Sequence, residues 1–305
     1  MKHICIKSLI LTFLLSSPSF AEETGGYAGS FLNWGVGARA IAMGKTFSAI
    51  VDDGTSIFWN PAGLEQVNSR EFSFMHALIF EDRTENFLAF SYPFSNFTIG
   101  FGWLHFGVSD IQERNEVGEL VGYFSDSENA FMLGSGVPIY FRPACKLNLG
   151  TTIKYFHHSL YNCHANGWGA DFGSLLYLYR NGFVRQIGIG LVIQNLGAKL
   201  KWHTESNHQE RIPTTLRLGS VIVLNSLPLK FAVDLEKSHD MRIHMGIEYF
   251  WRMLVLRAGL NQSQFTAGAG FSHSLRGFDL IIDYAFTDDA ISNRGLHFFS
   301  LSFRL

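Results

Sequence analysis

His157, His158, Cys163 and His164 crowd one short stretch, and all are metal-donor types. In an extended strand neighbouring residues point to opposite faces, so His157 and His158 would not converge on one ion. We read this stretch as a solvated loop and expect no metal. Cys145 and Cys163 are the only cysteines beyond the first 21 residues. The strand between them, at about 3.3 Å per residue, separates them by roughly 40 Å, far beyond the roughly 7 Å that a disulfide spans. Both are expected to be free thiols. Gly35-Val36-Gly37-Ala38-Arg39-Ala40 imitates a dinucleotide-binding loop, but no βαβ pattern surrounds it. Ser, His and Asp are scattered, and no nucleophile, base and orienter converge, so neither catalytic residues nor a cofactor are expected.

The elements that carry these residues are strands. From residue 70 onward apolar and small or polar residues alternate. Phe299, Leu301, Phe303 and Leu305 oppose Ser300, Ser302 and Arg304, and Ile243, Met245, Ile247 and Tyr249 oppose Arg242, His244, Gly246 and Glu248. The charges Lys154, Asp171, Arg217, Asp234, Glu248, Arg257, Asp279, Asp283 and Arg304 fall in the polar phase or close to it. That phase suits the inside of a membrane barrel. Both signs occur, which fits a network of paired lumenal charges better than a selectivity ring.

About fourteen strands of roughly 9 to 13 residues follow, the length a tilted strand needs to cross a bilayer. Their connections sort by parity. Short turns such as Arg180-Asn181-Gly182 alternate with more polar connections, including the long stretches Gly107 to Asn129 and Asn195 to Pro213, expected as outer loops. Aromatic residues near strand ends, among them Tyr92, Trp103, Phe106, Tyr155, Phe156, Tyr249 and Tyr284, are expected to form girdles. The fold class is all-β: a 14-stranded antiparallel transmembrane β-barrel with a short N-terminal helical or irregular hatch in its lumen.

Composition agrees. Charged residues make up 16% of the chain against about 25% in soluble domains, and aromatics make up 15%. A net charge of -2 gives no reason to expect a nucleic-acid partner. Lys2 and Lys7 precede an apolar run from Leu9 to Leu15, with Ser19-Phe20-Ala21 behind it, which reads as a signal peptide over residues 1–21. Residues 22–68 are rich in small residues and read as the hatch, and 69–305 as the barrel. With no apolar run of about 20 residues beyond the leader, entry into a membrane requires a closed sheet.

Gly37-Ala38-Arg39-Ala40-Ile41-Ala42-Met43-Gly44, Asp52-Asp53 and Trp59-Asn60-Pro61-Ala62-Gly63-Leu64 resemble the PorV/PorQ family of FadL-like outer-membrane proteins. The likeness continues through Gln194-Asn195-Leu196-Gly197, His244-Met245-Gly246-Ile247-Glu248-Tyr249 and Asp283-Tyr284-Ala285-Phe286. Lys45 stands where the family often has Gly. The resemblance implies location in the outer membrane of a diderm bacterium. It also implies a hatch built on Asn60, Pro61, Ala62 and Gly63, with Ile57, Phe58 and Trp59 as candidate ligand contacts. Two functions follow from it. One is a non-catalytic accessory or binding component in type IX-like protein export or surface assembly, with secretion components or exported cargo as partners. The other is a transporter of small hydrophobic molecules such as fatty acids. Outer-membrane lipid is the surrounding partner in both.

Overall fold

The computed structural model describes residues 27–79, 83–288 and 295–305. The leader falls outside the described residues, as do residues 22–26. Fifteen strands form one sheet: β1 Glu71–Leu78, β2 Arg83–Pro93, β3 Thr98–Arg114, β4 Leu120–Arg142, β5 Cys145–Leu160, β6 Cys163–Tyr179, β7 Val184–Trp202, β8 Gln209–Arg211, β9 Thr215–Leu224, β10 Leu229–Lys237, β11 Met241–Trp251, β12 Leu254–Asn261, β13 Gln264–Leu275, β14 Phe278–Asp288 and β15 Gly295–Arg304. Neighbouring strands are antiparallel. β15 pairs back onto β1, and β6 pairs with β7, so the sheet closes. β8 is a three-residue strand that pairs only with the end of β7. Fourteen strands therefore form the wall, and closure leaves no wall strand at an open edge of the barrel.

The predicted phase is the observed one. Phe74, Leu133, Ile153, Phe231 and Phe299 are exposed on the outer face, whereas Glu71, Lys154, Asp171, Asp234 and Glu248 are buried inside. Aromatics stack across neighbouring strands on the outer face. Trp103, Phe131, Tyr155 and Trp168 form one such row, with ring centroids 6.4, 6.3 and 4.8 Å apart. Two aromatics assigned to the girdle lie inside instead. Phe156 is fully buried, and Phe106 stacks on Trp34 with centroids 6.5 Å apart. Both share the strand phase of inward residues, and a position near a strand end does not reveal which face a ring takes.

The two long connections also differ from expectation. Gly107 to Asn129 is the extended tip of the β3–β4 hairpin, with its turn at 115–119, and β4 runs for 23 residues. β7 continues through Asn195 to Trp202 before returning along β8. Polar residues still alternate in these tips, and ladder hydrogen bonding continues beyond the apolar band. Left-handed backbone at Asp110 (φ 58°) and Asn195 (φ 58°) marks bulges where the regular register breaks.

Among the described residues no helix is long and apolar enough to cross a membrane. The helical segments are short, and all lie N-terminal to the wall: Ser30–Asn33, Ala38–Ala42, Ser56–Trp59 and Pro61–Gln66. They belong to one buried cluster that includes Phe47, Ile57, Trp59 and Leu64. This N-terminal segment is the plug of the barrel.

Candidate functional site

The plug is built from local signals in its sequence. Gly37, with φ 84°, precedes the helix Ala38–Ala42, and Gly44, with φ 66°, follows it. A Cβ at Gly44 would lie 2.6 Å from the carbonyl oxygen of Leu260, so glycine serves both the turn and the close approach to β12. Lys45 also takes left-handed backbone, φ 65°, a conformation that glycine adopts without strain. Its Nζ donates to the Asn33 carbonyl at 2.8 Å, and its own carbonyl accepts from Arg217 Nη1 at 3.1 Å.

Asn60 caps the last plug helix. Its Oδ1 accepts from Ala62 N at 3.1 Å, and Pro61 stands at the first helical position. Its Nδ2 donates to the carbonyls of Ser48 (2.7 Å) and Ser174 (3.2 Å), joining two parts of the plug to β6. Pro61, Ala62 and Gly63 are buried, and the wall is bare where they touch it. Added Cβ atoms at Gly150 and Gly173 would lie 2.2 Å from Pro61 C and 2.0 Å from Asn60 Oδ1.

Three charge networks tie plug to wall or line the space beside it. In the first, Arg39 Nε donates to Glu248 Oε2 at 2.9 Å, and its Nη1 pairs with Asp52 and with Asp53 Oδ2 at 3.1 Å. Glu248 also accepts from Arg257 Nε at 2.7 Å and faces Lys230 Nζ at 3.1 Å, while Arg257 Nη1 reaches Asp283 Oδ1 at 2.7 Å. Enclosure works against the charge of Asp52, but the Arg39 guanidinium and Lys230 outweigh it and hold that carboxyl at about 2. In the second network Arg217 pairs with Glu236, stands 3.8 Å from Asp234 and lies 4.9 Å from the Trp59 ring centre. In the third, Lys154 Nζ bonds Asp171 Oδ2 at 2.8 Å and Asn195 Oδ1 at 3.0 Å, over the ring of Phe58. Arg304 pairs separately with Glu71 at 2.8 Å, and Asp279 is half-buried opposite Arg304 in register.

The lumenal charges singled out in sequence are thus mostly paired partners, as a buried charge must be. Sequence reasoning missed the hub, Arg39, and Lys230, the second cation on Asp52 and Glu248. It also missed Glu71 and Glu236. The last three sit in the inward phase and were legible there; Arg39 lies outside any alternating stretch. Gln194 and Asn195 both face inward because of the bulge, which no alternation reveals.

Among the described residues, two open spaces flank the plug at opposite ends of the lumen. At the end where the plug begins, Tyr27–Ser30, Glu128, His158, Glu210 and Arg211 line a space of about 510 Å³. At the opposite end, toward the chain terminus, Ile50, Asp52, Tyr177, Tyr179, Val221 and Lys230 are among the residues around about 300 Å³. Beside the plug, Phe58 and Trp59 meet Lys154, Gln194, Arg217 and His244 around only about 40 Å³. Of the three candidate ligand contacts, Phe58 and Trp59 line this waist, and Ile57 packs against Gly100 and Gly102 of β3. Cys145 and Cys163 are free thiols, near opposite ends of β5.

No family model and no curated protein sequence matches the chain. Among solved structures it is similar to the Pseudomonas putida toluene transporter TodX, at 12% identity and a TM-score of 0.57, covering 88% of this chain and 97% of that one. It is similar to the monoaromatic hydrocarbon channel CymD at 12% identity and a TM-score of 0.55, with the same coverages. A Pseudomonas aeruginosa FadL homologue follows at 10% identity and a TM-score of 0.49, again over 88% and 97%. At such identities the likeness establishes a shared barrel architecture.

Proposed function

We propose that the chain is an outer-membrane channel of FadL type that passes small hydrophobic molecules around a movable plug. The observation that carries this reading is the pair of chambers, about 510 and 300 Å³, separated by a waist of about 40 Å³. Ligand sites occupy roughly 300–1,000 Å³, so the chambers have room for a small molecule and the waist does not. Passage then requires the plug to shift. The exposed apolar outer face supports placement in a bilayer, because closed sheets meet lipid with such a band. TodX is a toluene transporter and CymD a monoaromatic hydrocarbon channel, which supports the substrate class by analogy of fold. The division used is a leader over 1–21, a hatch over 22–68 and a barrel over 69–305. Phe58 and Trp59 act as the apolar contacts at the waist, and Ile57 anchors them on β3.

A cysteine lock tests this. A Cβ on Gly102 would lie 3.1 Å from Ile57 Cγ2, near the spacing from one Cβ of a disulfide to the far sulfur. Ile57→Cys with Gly102→Cys, in a background with Cys145 and Cys163 replaced by Ser, should speed toluene uptake by cells that carry it in their outer membrane when reduced, and lose that gain when oxidised. Equal flux in both states, or no flux that depends on the protein, overturns the proposal.

A second reading, a PorV-like accessory barrel in protein export, is favoured by the N-terminal motif block and by the exposed Val117, Val121, Tyr123 and Tyr161 near the β3–β4 tip. Co-purification of secretion components from detergent extracts supports it, and bound lipid alone argues against it.

A further inference from the structure

Asp126 and Glu128 occupy alternate positions of β4, and Glu128 lies opposite His158 of β5 in register. All three therefore share the inner face of the wall. His158 Nε2 lies 2.8 Å from Asp126 Oδ1, and its Nδ1 lies 4.0 Å from Glu128 Oε2. One donor atom from each residue falls within 4.8 Å of the others. Glu128 and His158 open onto the larger chamber, where Glu210 adds a further carboxylate and Arg211 is the fixed cation among the lining residues. Three carboxylates facing one another repel, and a dication supplies the missing positive charge.

The expectation of no metal rested on His157 and His158 diverging, and they do diverge. His157 turns outward to Asn166 at 2.8 Å. His158 turns inward, onto carboxylates that sequence spacing did not bring near it.

We propose that Asp126, Glu128 and His158 form a binding site for a divalent transition metal of the zinc class. One imidazole nitrogen with carboxylate oxygens suits such an ion, whereas calcium and magnesium take oxygen ligands. The site joins β4 to β5 inside the chamber that Tyr27–Ser30 also line, so a bound ion stiffens the wall where the plug begins.

The test is calorimetric titration of ZnCl2 into the full-length protein in detergent after chelator treatment. One ion should bind per chain. Asp126→Asn, Glu128→Gln and His158→Gln should each weaken binding by at least about tenfold, while His157→Gln and His164→Gln leave it unchanged. No stoichiometric binding, retention of full affinity in the three variants, or loss in His164→Gln overturns the site. Zinc-edge X-ray absorption on the unaltered protein gives an answer that does not depend on the variants folding. It should show nitrogen and oxygen ligands including one imidazole, and a sulfur ligand would point to Cys163 and contradict the assignment.

Discussion

The two ends of the plug meet the same kind of wall and are held there differently. The helix Ala38–Ala42 rests on glycines of β11 to β13: Cβ atoms added at Gly246, Gly259 and Gly268 would lie within 2.5 Å of Met43 O, Gly44 N and Ala42 Cβ. The segment Asn60–Gln66 rests on glycines of β4 to β6 in the same way. Only the first end is also fixed by buried charge, through Arg39 and its three carboxylate partners. The second end relies on neutral hydrogen bonds, such as Gln194 Nε2 to the Phe58 carbonyl at 2.7 Å and Thr152 Oγ1 to the Ile57 carbonyl at 3.1 Å, with one loose ion pair, Lys146–Glu65 at 3.8 Å. Glycine floors allow close approach, and charge decides which part stays. On the proposed function, movement that opens the waist begins at residues 56–66, where release parts only the loose Lys146–Glu65 pair.

The largest effect should come from Arg39→Met. It strips Glu248 of one of three cations and Asp52 and Asp53 of their shared one, and breaking a buried pair costs about 3–5 kcal/mol. Urea unfolding in detergent measures it. Glu65→Gln at the other end should cost under about 1 kcal/mol, and equal losses for the two would erase the contrast. Next comes the wall itself. Leu301→Arg, on the outer face of β15 beside Phe74 and Ile282 in register, should cost about 2–4 kcal/mol if it lies mid-bilayer. Folding into lipid vesicles reads that loss, and an unchanged yield contradicts the outward phase.

Smaller effects sharpen the second contact. Gly150→Ala forces a methyl onto the Pro61 backbone and should cost about 1–3 kcal/mol by overpacking, with the loss of stability accompanied by leak of small solutes as the plug lifts. Asn60→Ala removes a cap and two carbonyl contacts and should cost about 1–2 kcal/mol. If Asn60→Ala leaves unfolding midpoint and leak unchanged, the capping role of Asn60 is wrong.

Much of this was legible in the chain. Period-two alternation specified the inward and outward faces because one face packs on the plug and the other does not, so a one-residue slip would bury Phe231 and expose Asp234. Counting the alternating stretches led to the number of wall strands, and the parity of the turns to their two sides. Three things stayed hidden for physical reasons. A bulge at Asn195 shifts phase without a sequence mark beyond a residue that tolerates left-handed backbone. Arg39 reaches partners 13 to 209 residues away, a convergence that only the closed sheet creates. Asp126, Glu128 and His158 meet across a β4–β5 pairing that continues past the apolar band, in a stretch whose polarity reads as loop.

The most direct measurement is ion conductance of the purified protein in planar bilayers, compared with a chain lacking residues 27–68. A plugged barrel predicts that the intact protein is electrically silent and that the shortened one, once assembled, conducts steadily. Steady conductance of equal size in both, or a silent but folded barrel without its plug, would contradict the placement of the N-terminal segment as the closure of the lumen.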